Sequence, residues 1–380
     1  DADGDVLSYS LSGTDAARFS INAATGAVAF LASPDFEAPA DANGDNVYDI
    51  VVRASDGVNA STRNVAVTVT DAVDNIDLSL LTPSQGFIIQ GDATFNLAGA
   101  SVSSAGDING DGFDDLIVGA FLGDDGGNYA GEAYVVFGSA SGFGTVDGTG
   151  RSVIDLTSLT PSQGFIIQGD SADDRAGISV SSAGDLNGDG YEDLIVGAYR
   201  GDDGGNYAGE AYVVFGSASG FGTVDGTGRS VIDLTSLTLS QGFIIQGDVG
   251  GDIAGSSVSS AGDINGDGFD DLIVGAPYGD DGGGGAGEAY VIFGSASGFG
   301  TTVGGRQVID LTSLTPSQGF IIQGDAAYDN AGVSVSTAGD INGDGFDDLI
   351  VGAFLGDDGG DQAGEAYVVF GSASGFGTVD

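Results

Sequence analysis

The chain has 380 residues, 56 of them acidic and 8 basic, for a formal net charge of -48, and every basic residue is arginine. Such a surface repels phosphate backbones and anionic bilayers, which argues against nucleic-acid partners, and it attracts divalent cations. Cysteine and histidine are absent, which removes disulfides, thiolate and imidazole metal sites, and any Ser-His-Asp or Cys-His mechanism.

The 41% of hydrophobic residues falls in short, regular runs, as in a folded acidic protein rather than a disordered one. None of these runs is long enough to cross a bilayer as a helix, so no membrane insertion is expected in this segment. The chain opens at "DADGD" with neither a methionine nor a signal peptide, and it reads as a piece of a longer protein.

Residues 1–75 form the first region. "VLSYSL", "ARFSI", "GAVAFL", "VYDIVVRA" and "NVAVTVTD" alternate apolar and polar residues with period two, which predicts a small β-sandwich. Inside it, "DANGDNVYD" places Asp41, Asn43, Asp45 and Asp49 at the spacing of a cation loop, without a glycine at the sixth position. Plain turn formation is the competing reading. "NAS" at Asn59 fits a glycosylation sequon.

Residues 76–380 are built from four copies of one unit of about 78 residues, as unit-scale repeat arithmetic requires be settled first. In the first copy, "GFIIQGD" (86–92), "SVSSAGD" (ending at Asp107), "DLIVGA" (115–120) and "EAYVVFG" (132–138) read as strands. They are rich in Val, Ile, Phe and Tyr and are bounded by Gly and Asp. Four strands per repeat predict β-propeller blades, each with too little core to stand alone. A β-helix would need a much shorter repeat.

Between the second and third strands of each copy lies an acidic loop. The copies begin at Asp107, Asp185, Asp263 and Asp340, at intervals of 78, 78 and 77 residues. Asp107, Asn109, Asp111 and Asp115 occupy positions one, three, five and nine, with the Phe113 carbonyl at seven. The same donors recur as Asp185, Asn187, Asp189, Tyr191 and Asp193, as Asp263, Asn265, Asp267, Phe269 and Asp271, and as Asp340, Asn342, Asp344, Phe346 and Asp348. Calcium takes six to eight oxygens at about 2.3–2.6 Å, and alternating oxygen side chains on a tight turn converge on one point. Magnesium fits less well, because it keeps its waters and demands an octahedron. Position twelve is Val118, inside an apolar run, so the loop does not end as an EF-hand does. One Ca2+ per repeat is expected, four in all.

"AGDINGDGFDDLIVGA" followed by "YVVFGS" resembles the FG-GAP repeat of integrin α-subunit propellers and their bacterial relatives. The resemblance implies that calcium sits in the aspartate-rich loop between two strands of a blade, on the four donor sets above. The full "GAP" occurs only at Gly275–Pro277. Integrin propellers have seven blades, so the four visible here are expected to belong to a larger ring. "FSINAATGAVAF" resembles a strand-turn-strand of bacterial cadherin-like modules. That resemblance implies calcium ligands at Asp1, Asp3 and Asp56 on one side and at Glu37, Asp71 and Asp74 on the other.

The fold class expected is therefore all-β, a cadherin-like sandwich followed by an FG-GAP propeller. The function expected is a non-enzymatic, calcium-dependent adhesion or ligand-binding module, secreted or on a bacterial cell surface. Its partner would be a protein or glycan at a cell or matrix surface. One alternative is the accessory propeller of a secreted enzyme acting on polysaccharide or lipid; another is a structural spacer. "RGD" at Arg200–Asp202 corresponds to "LGD" or "YGD" elsewhere and is not expected to bind cells. The repeated "GDDGG" could hold a second cation, but it reads better as a hairpin tip.

Overall fold

The computed structural model describes residues 6–71 and 75–377. The chain divides into two compact units, Asp1–Leu80 and Leu81–Asp380. It is all-β: the helical elements among the described residues are single 3₁₀ turns.

In the first unit, β1 (Ser8–Ser12), β4 (Val47–Ser55) and β5 (Ala60–Thr68) form an antiparallel sheet in the order β1-β4-β5. A separate hairpin joins β2 (Phe19–Ile21) to β3 (Val28–Phe30). The period-two alternation puts Tyr48 and Ile50 of β4 on one face, where they are buried with Phe19. Tyr48 meets Phe19 and Phe30 edge-on at 5.9 and 5.1 Å, and its hydroxyl accepts from the Ala40 N–H, so the buried phenol is satisfied.

The second unit repeats one pattern. The first copy supplies β6 (Phe87–Gln90), β7 (Ser101–Gly106), β8 (Asp115–Ala120) and β9 (Glu132–Val136), then a ribbon of β10 (Thr145–Val146) and β11 (Ser152–Asp155). The second supplies β12 (Gly164–Gln168), β13 (Ser179–Gly184), β14 (Asp193–Ala198) and β15 (Glu210–Val214), then β16 (Thr223–Val224) and β17 (Ser230–Asp233). The third supplies β18 (Gly242–Gln246), β19 (Ser257–Gly262), β20 (Asp271–Ala276) and β21 (Glu288–Ile292), then β22 (Thr301–Val303) and β23 (Arg306–Asp310). The fourth supplies β24 (Gly319–Gln323), β25 (Ala331–Gly339), β26 (Asp348–Ala353) and β27 (Glu365–Val369).

These strands make propeller blades, but a blade does not coincide with a sequence repeat. The sheet order is β16-β17-β12-β9-β8-β7. The Gly-Phe-Ile-Ile-Gln strand, expected to open its own unit, instead pairs antiparallel with the last strand of the unit before it: Gly164 opposite Val136, Gln168 opposite Glu132. The ribbon of the next interval, unanticipated from sequence, then adds β17 in parallel to β12. The same handover recurs at β15–β18 and β21–β24. At the ends of the unit, β6 pairs with β11, and β27 pairs with β26.

Burial follows from the stacking of blades. All five residues of β9, β15 and β21 are buried, as expected of strands covered on both faces. In β27 half-buried positions alternate with exposed ones, because no further strand lies beside it among the described residues. Neighbouring blades also approach through backbone. A Cβ on Gly197 would lie 2.0 Å from the Gly255 carbonyl oxygen, and Gly119 and Gly275 meet Gly177 and Gly332 in the same way. The glycine of the first three "IVGA" runs is thus set by the spacing between blades.

Candidate metal loops

Each acidic loop leaves the second strand of its repeat through a bulge, between Ser104 and Gly106 in the first copy, and ends where the third strand begins. Gly110 and Gly112 adopt φ of 73° and 90°, which lets the chain reverse tightly. The aspartates organise that turn themselves. Asp107 accepts from the Asp111 N–H (3.0 Å) through Oδ1 and from the Gly112 N–H (2.9 Å) through Oδ2. Asn109 Oδ1 accepts from Asp111 N–H at 2.8 Å, and Asp111 Oδ1 from Phe113 N–H at 3.0 Å. The other three loops repeat these bonds within 0.1 Å.

The ninth position differs from the rest. Asp115, Asp193, Asp271 and Asp348 are fully buried. Asp193 accepts from Gly216 N–H at 2.9 Å and Leu186 N–H at 3.1 Å, which ties the loop to the end of the fourth strand. Asp115 accepts from Gly138 N–H at 2.7 Å, while its Oδ2 is buried without a partner. Burial is the main cause that pushes the carboxyl of Asp115 up to about 6 and those of Asp193 and Asp271 to about 8. The negative charges at positions five and one add to it. A buried carboxylate beside two others calls for a proton or a cation.

The loops of adjacent blades touch. A Cβ on Gly110 would lie 2.4 Å from the Tyr191 ring, and Gly188 and Gly266 meet Phe269 and Phe346 in the same way. The seventh-position aromatic thus packs on the fourth-position glycine of the loop before it. The eighth residue also reaches back: the Asp270 carboxylate accepts from Asp185 N–H at 2.8 Å, and that of Asp347 from Asp263 N–H at 3.0 Å.

The structure therefore gathers positions one, three and five on one turn, with the buried ninth beside them. The tightest acidic groups lie elsewhere. Carboxylate oxygens within 4.8 Å of one another occur in Asp92–Asp125–Glu132, Asp170–Asp174–Glu210, Asp248–Asp252–Glu288 and Asp325–Asp358–Glu365. These residues come from separate places in a repeat, and only their fourfold recurrence in the sequence could have marked them.

In the first unit, the Asp41 loop closes in a related way. Asp45 N–H donates to Asp41 Oδ2 at 3.0 Å, and Asp41 Oδ1 is buried without a partner. Asp49 sits on β4, its N–H donating to Asp15. Asp56 accepts from the Val58 and Asn59 N–H groups of its own turn. Asp1, Asp3 and Asp74 lie outside the described residues. Arg200 lies over the Tyr199 and Tyr207 rings at 5.6 and 5.5 Å.

Four segments, residues 98–136, 176–214, 254–292 and 331–369, match the FG-GAP repeat. Each takes in the second, third and fourth strands of one repeat and the acidic loop between the second and third. The chain is 32% identical over 206 residues to integrin alpha-PS5 of Drosophila melanogaster, covering 54% of this chain and 18% of that protein. It is 32% identical over 202 residues to phosphatidylinositol-glycan-specific phospholipase D of Bos taurus, covering 53% and 21%. Integrin alpha-V of Gallus gallus is 32% identical over 187 residues, covering 47% and 15%. The chain thus spans about a fifth or less of the length of these relatives. Among the described residues no helix is long and apolar enough to cross a membrane.

Proposed function

We propose that this FG-GAP repeat protein is a non-catalytic, ligand-binding propeller that works outside the cell and whose blades are locked by calcium, one ion in each acidic loop. The observation that carries the reading is the fourfold donor set. Asp107, Asn109, Asp111 and Asp115, with the Phe113 carbonyl, present hard oxygens on one turn, and one oxygen of the buried Asp115 has no partner. The copies at Asp185–Asp193, Asp263–Asp271 and Asp340–Asp348 repeat the donor set, with the ninth carboxylate's Oδ2 there accepting from Leu186, Ile264 or Ile341 N–H. Calcium would supply charge neutralisation there, and its binding energy would appear as folding stability.

Similarity to integrin α chains supports a surface-exposed protein or glycan partner, and the -48 charge argues against nucleic acid. The chain reads as two domains that meet near residue 75, the first of them cadherin-like. A second reading, an accessory propeller in a secreted lipid-degrading enzyme, is favoured by the similarity to the bovine phospholipase D.

The test is thermal unfolding of the decalcified chain with and without added Ca2+, together with glycan and cell-surface binding screens. Coincident melts would sink the structural role of calcium. Binding that requires Ca2+ supports the first reading, and stimulation of a lipid-cleaving partner domain supports the second.

A further inference from the structure

Glu132 stands opposite Ala120 at the far end of β8 from Asp115, five residues and about 17 Å along the strand. The tight acidic groups built on Glu132 and its equivalents are therefore separate from the acidic loops, and the four copies can be compared with one another. In the first, Asn96 Nδ2 donates to Asp92 Oδ1 at 3.1 Å. Arg229 reaches both Asp92 (3.4 Å) and Asp125 (2.6 Å). A cationic side chain and an amide thus face the three acids.

The other three copies carry an acid where the first has Asn96, but in the fourth Asp325 and Asp358 are exposed and Glu365 is half-buried. Asp174 and Asp252 are each 4% exposed, and among the described residues no hydrogen-bond donor meets their carboxylates. Their neighbours are Asp170 with Glu210, and Asp248 with Glu288. In the second copy, Arg306 holds Asp170 Oδ2 at 3.0 Å and Asp203 at 2.6 Å. Asp170 Oδ1, on a side chain only 6% exposed, is buried without a partner. In the third copy no arginine faces the group among the described residues. The central glutamate is fixed as an acceptor: Tyr290 Oη donates to Glu288 Oε2 at 2.6 Å, and the Asp281 N–H donates to Oε1 at 2.8 Å. Burial raises the carboxyls of Asp174 and Asp252 to about 8 and about 7, with the neighbouring acids adding to it.

We propose that Asp170, Asp174 and Glu210, and likewise Asp248, Asp252 and Glu288, each bind one divalent cation, distinct from the ions of the acidic loops. The ligands are all carboxylate oxygens, which selects a hard cation. Their oxygens lie within 4.8 Å of one another, close enough to share one cation, and calcium accepts such an all-oxygen set without the strict octahedron that magnesium demands. The first copy, where Asn96 stands in place of the buried acid, does not bind one. These sites would clamp the start of the fourth strand of a repeat to the loop that follows the Gly-Phe-Ile-Ile-Gln strand, at the end remote from the acidic loops.

The test counts cations. The full chain is stripped of metal, dialysed to equilibrium against Ca2+, and compared with Asp174→Asn and Asp252→Asn, which copy the residue the first repeat already has. Each variant is expected to lose one Ca2+ per chain and the double variant two, with an unchanged far-ultraviolet spectrum. Glu288→Gln serves as a second probe of the third copy. Asp189→Asn and Asp267→Asn report the acidic loops separately. An unchanged count in the cluster variants, alongside losses in the loop variants, overturns this proposal and leaves the loop reading standing. Losses confined to the cluster variants support it and overturn the loop reading. An unchanged count in every variant overturns both.

Discussion

The carboxylate of Asp270 accepts the main-chain N–H of Asp185 at 2.8 Å, across 85 residues of sequence. Asp185 is the first residue of one acidic loop and Asp270 the eighth of the next. The bond holds the first donor of one loop in place from the neighbouring blade. Asp270→Ala is expected to lower stability by about 1.5–3 kcal/mol, the range for a hydrogen bond to a charged group. It should also weaken calcium binding at the second loop more than at the third. Urea unfolding and calorimetric titration check the two effects.

Asp193 joins its loop to the adjoining strand end through two N–H groups, Gly216 and Leu186. Asp193→Ala leaves both buried donors unmatched, a cost of about 1–3 kcal/mol each. Asp189 accepts from Tyr191 N–H at an exposed turn. In chelator, Asp193→Ala is therefore expected to be much less stable than Asp189→Ala. In calcium, both lose the metal-dependent increment. Equal denaturation midpoints in chelator would contradict the packing role given to the ninth position.

The stacking distance between blades predicts the outcome at Gly197. A methyl group there would sit 2.0 Å from the Gly255 carbonyl oxygen, and the obstacle is backbone rather than a movable side chain. Gly197→Ala is expected to cost at least about 1–3 kcal/mol, as overpacking does. By contrast, Gly226→Ala, with nothing within 4 Å, should be near neutral. The pair of melting temperatures is the measurement.

Glu132 predicts a pH dependence. Burial raises its carboxyl from the ordinary 4.5 to about 7, against hydrogen bonds from Tyr134 and Asp125. Between those values the folded chain holds a proton that the unfolded chain has released. Stability from this group therefore increases as pH falls through 7 and is lowest above it. The penalty above pH 7 is on the order of 3 kcal/mol. Relative to Glu132→Gln, the parent protein should gain stability from pH 8 to pH 5, with chelator present throughout. A flat difference across that range would show that Arg229 already compensates the charge.

Local chemistry made much of this legible. "DLIVGA" announces β8, β14, β20 and β26 at the bounds the structure gives them. The turn of each acidic loop follows from Asp, Asn and Gly at alternate positions. What sequence conceals is pairing. Phe-Ile-Ile-Gln looks the same whether it joins its own unit or the one before, so the handover of β12 to β9 was invisible. The two-residue strands β10 and β16 carry no period at all. The acidic groups around Glu210 and Glu288 draw on residues some forty positions apart, Asp170 with Glu210 and Asp248 with Glu288, and only folding brings them within reach.

The handover also governs how the molecule would respond to a cut. A protease that cleaved between β9 and β12 would sever the chain without releasing either piece. The two new fragments would remain stitched through the ladder from Gly164–Val136 to Gln168–Glu132. The nicked protein would migrate as one species until denatured, its covalent continuity gone but its architecture intact.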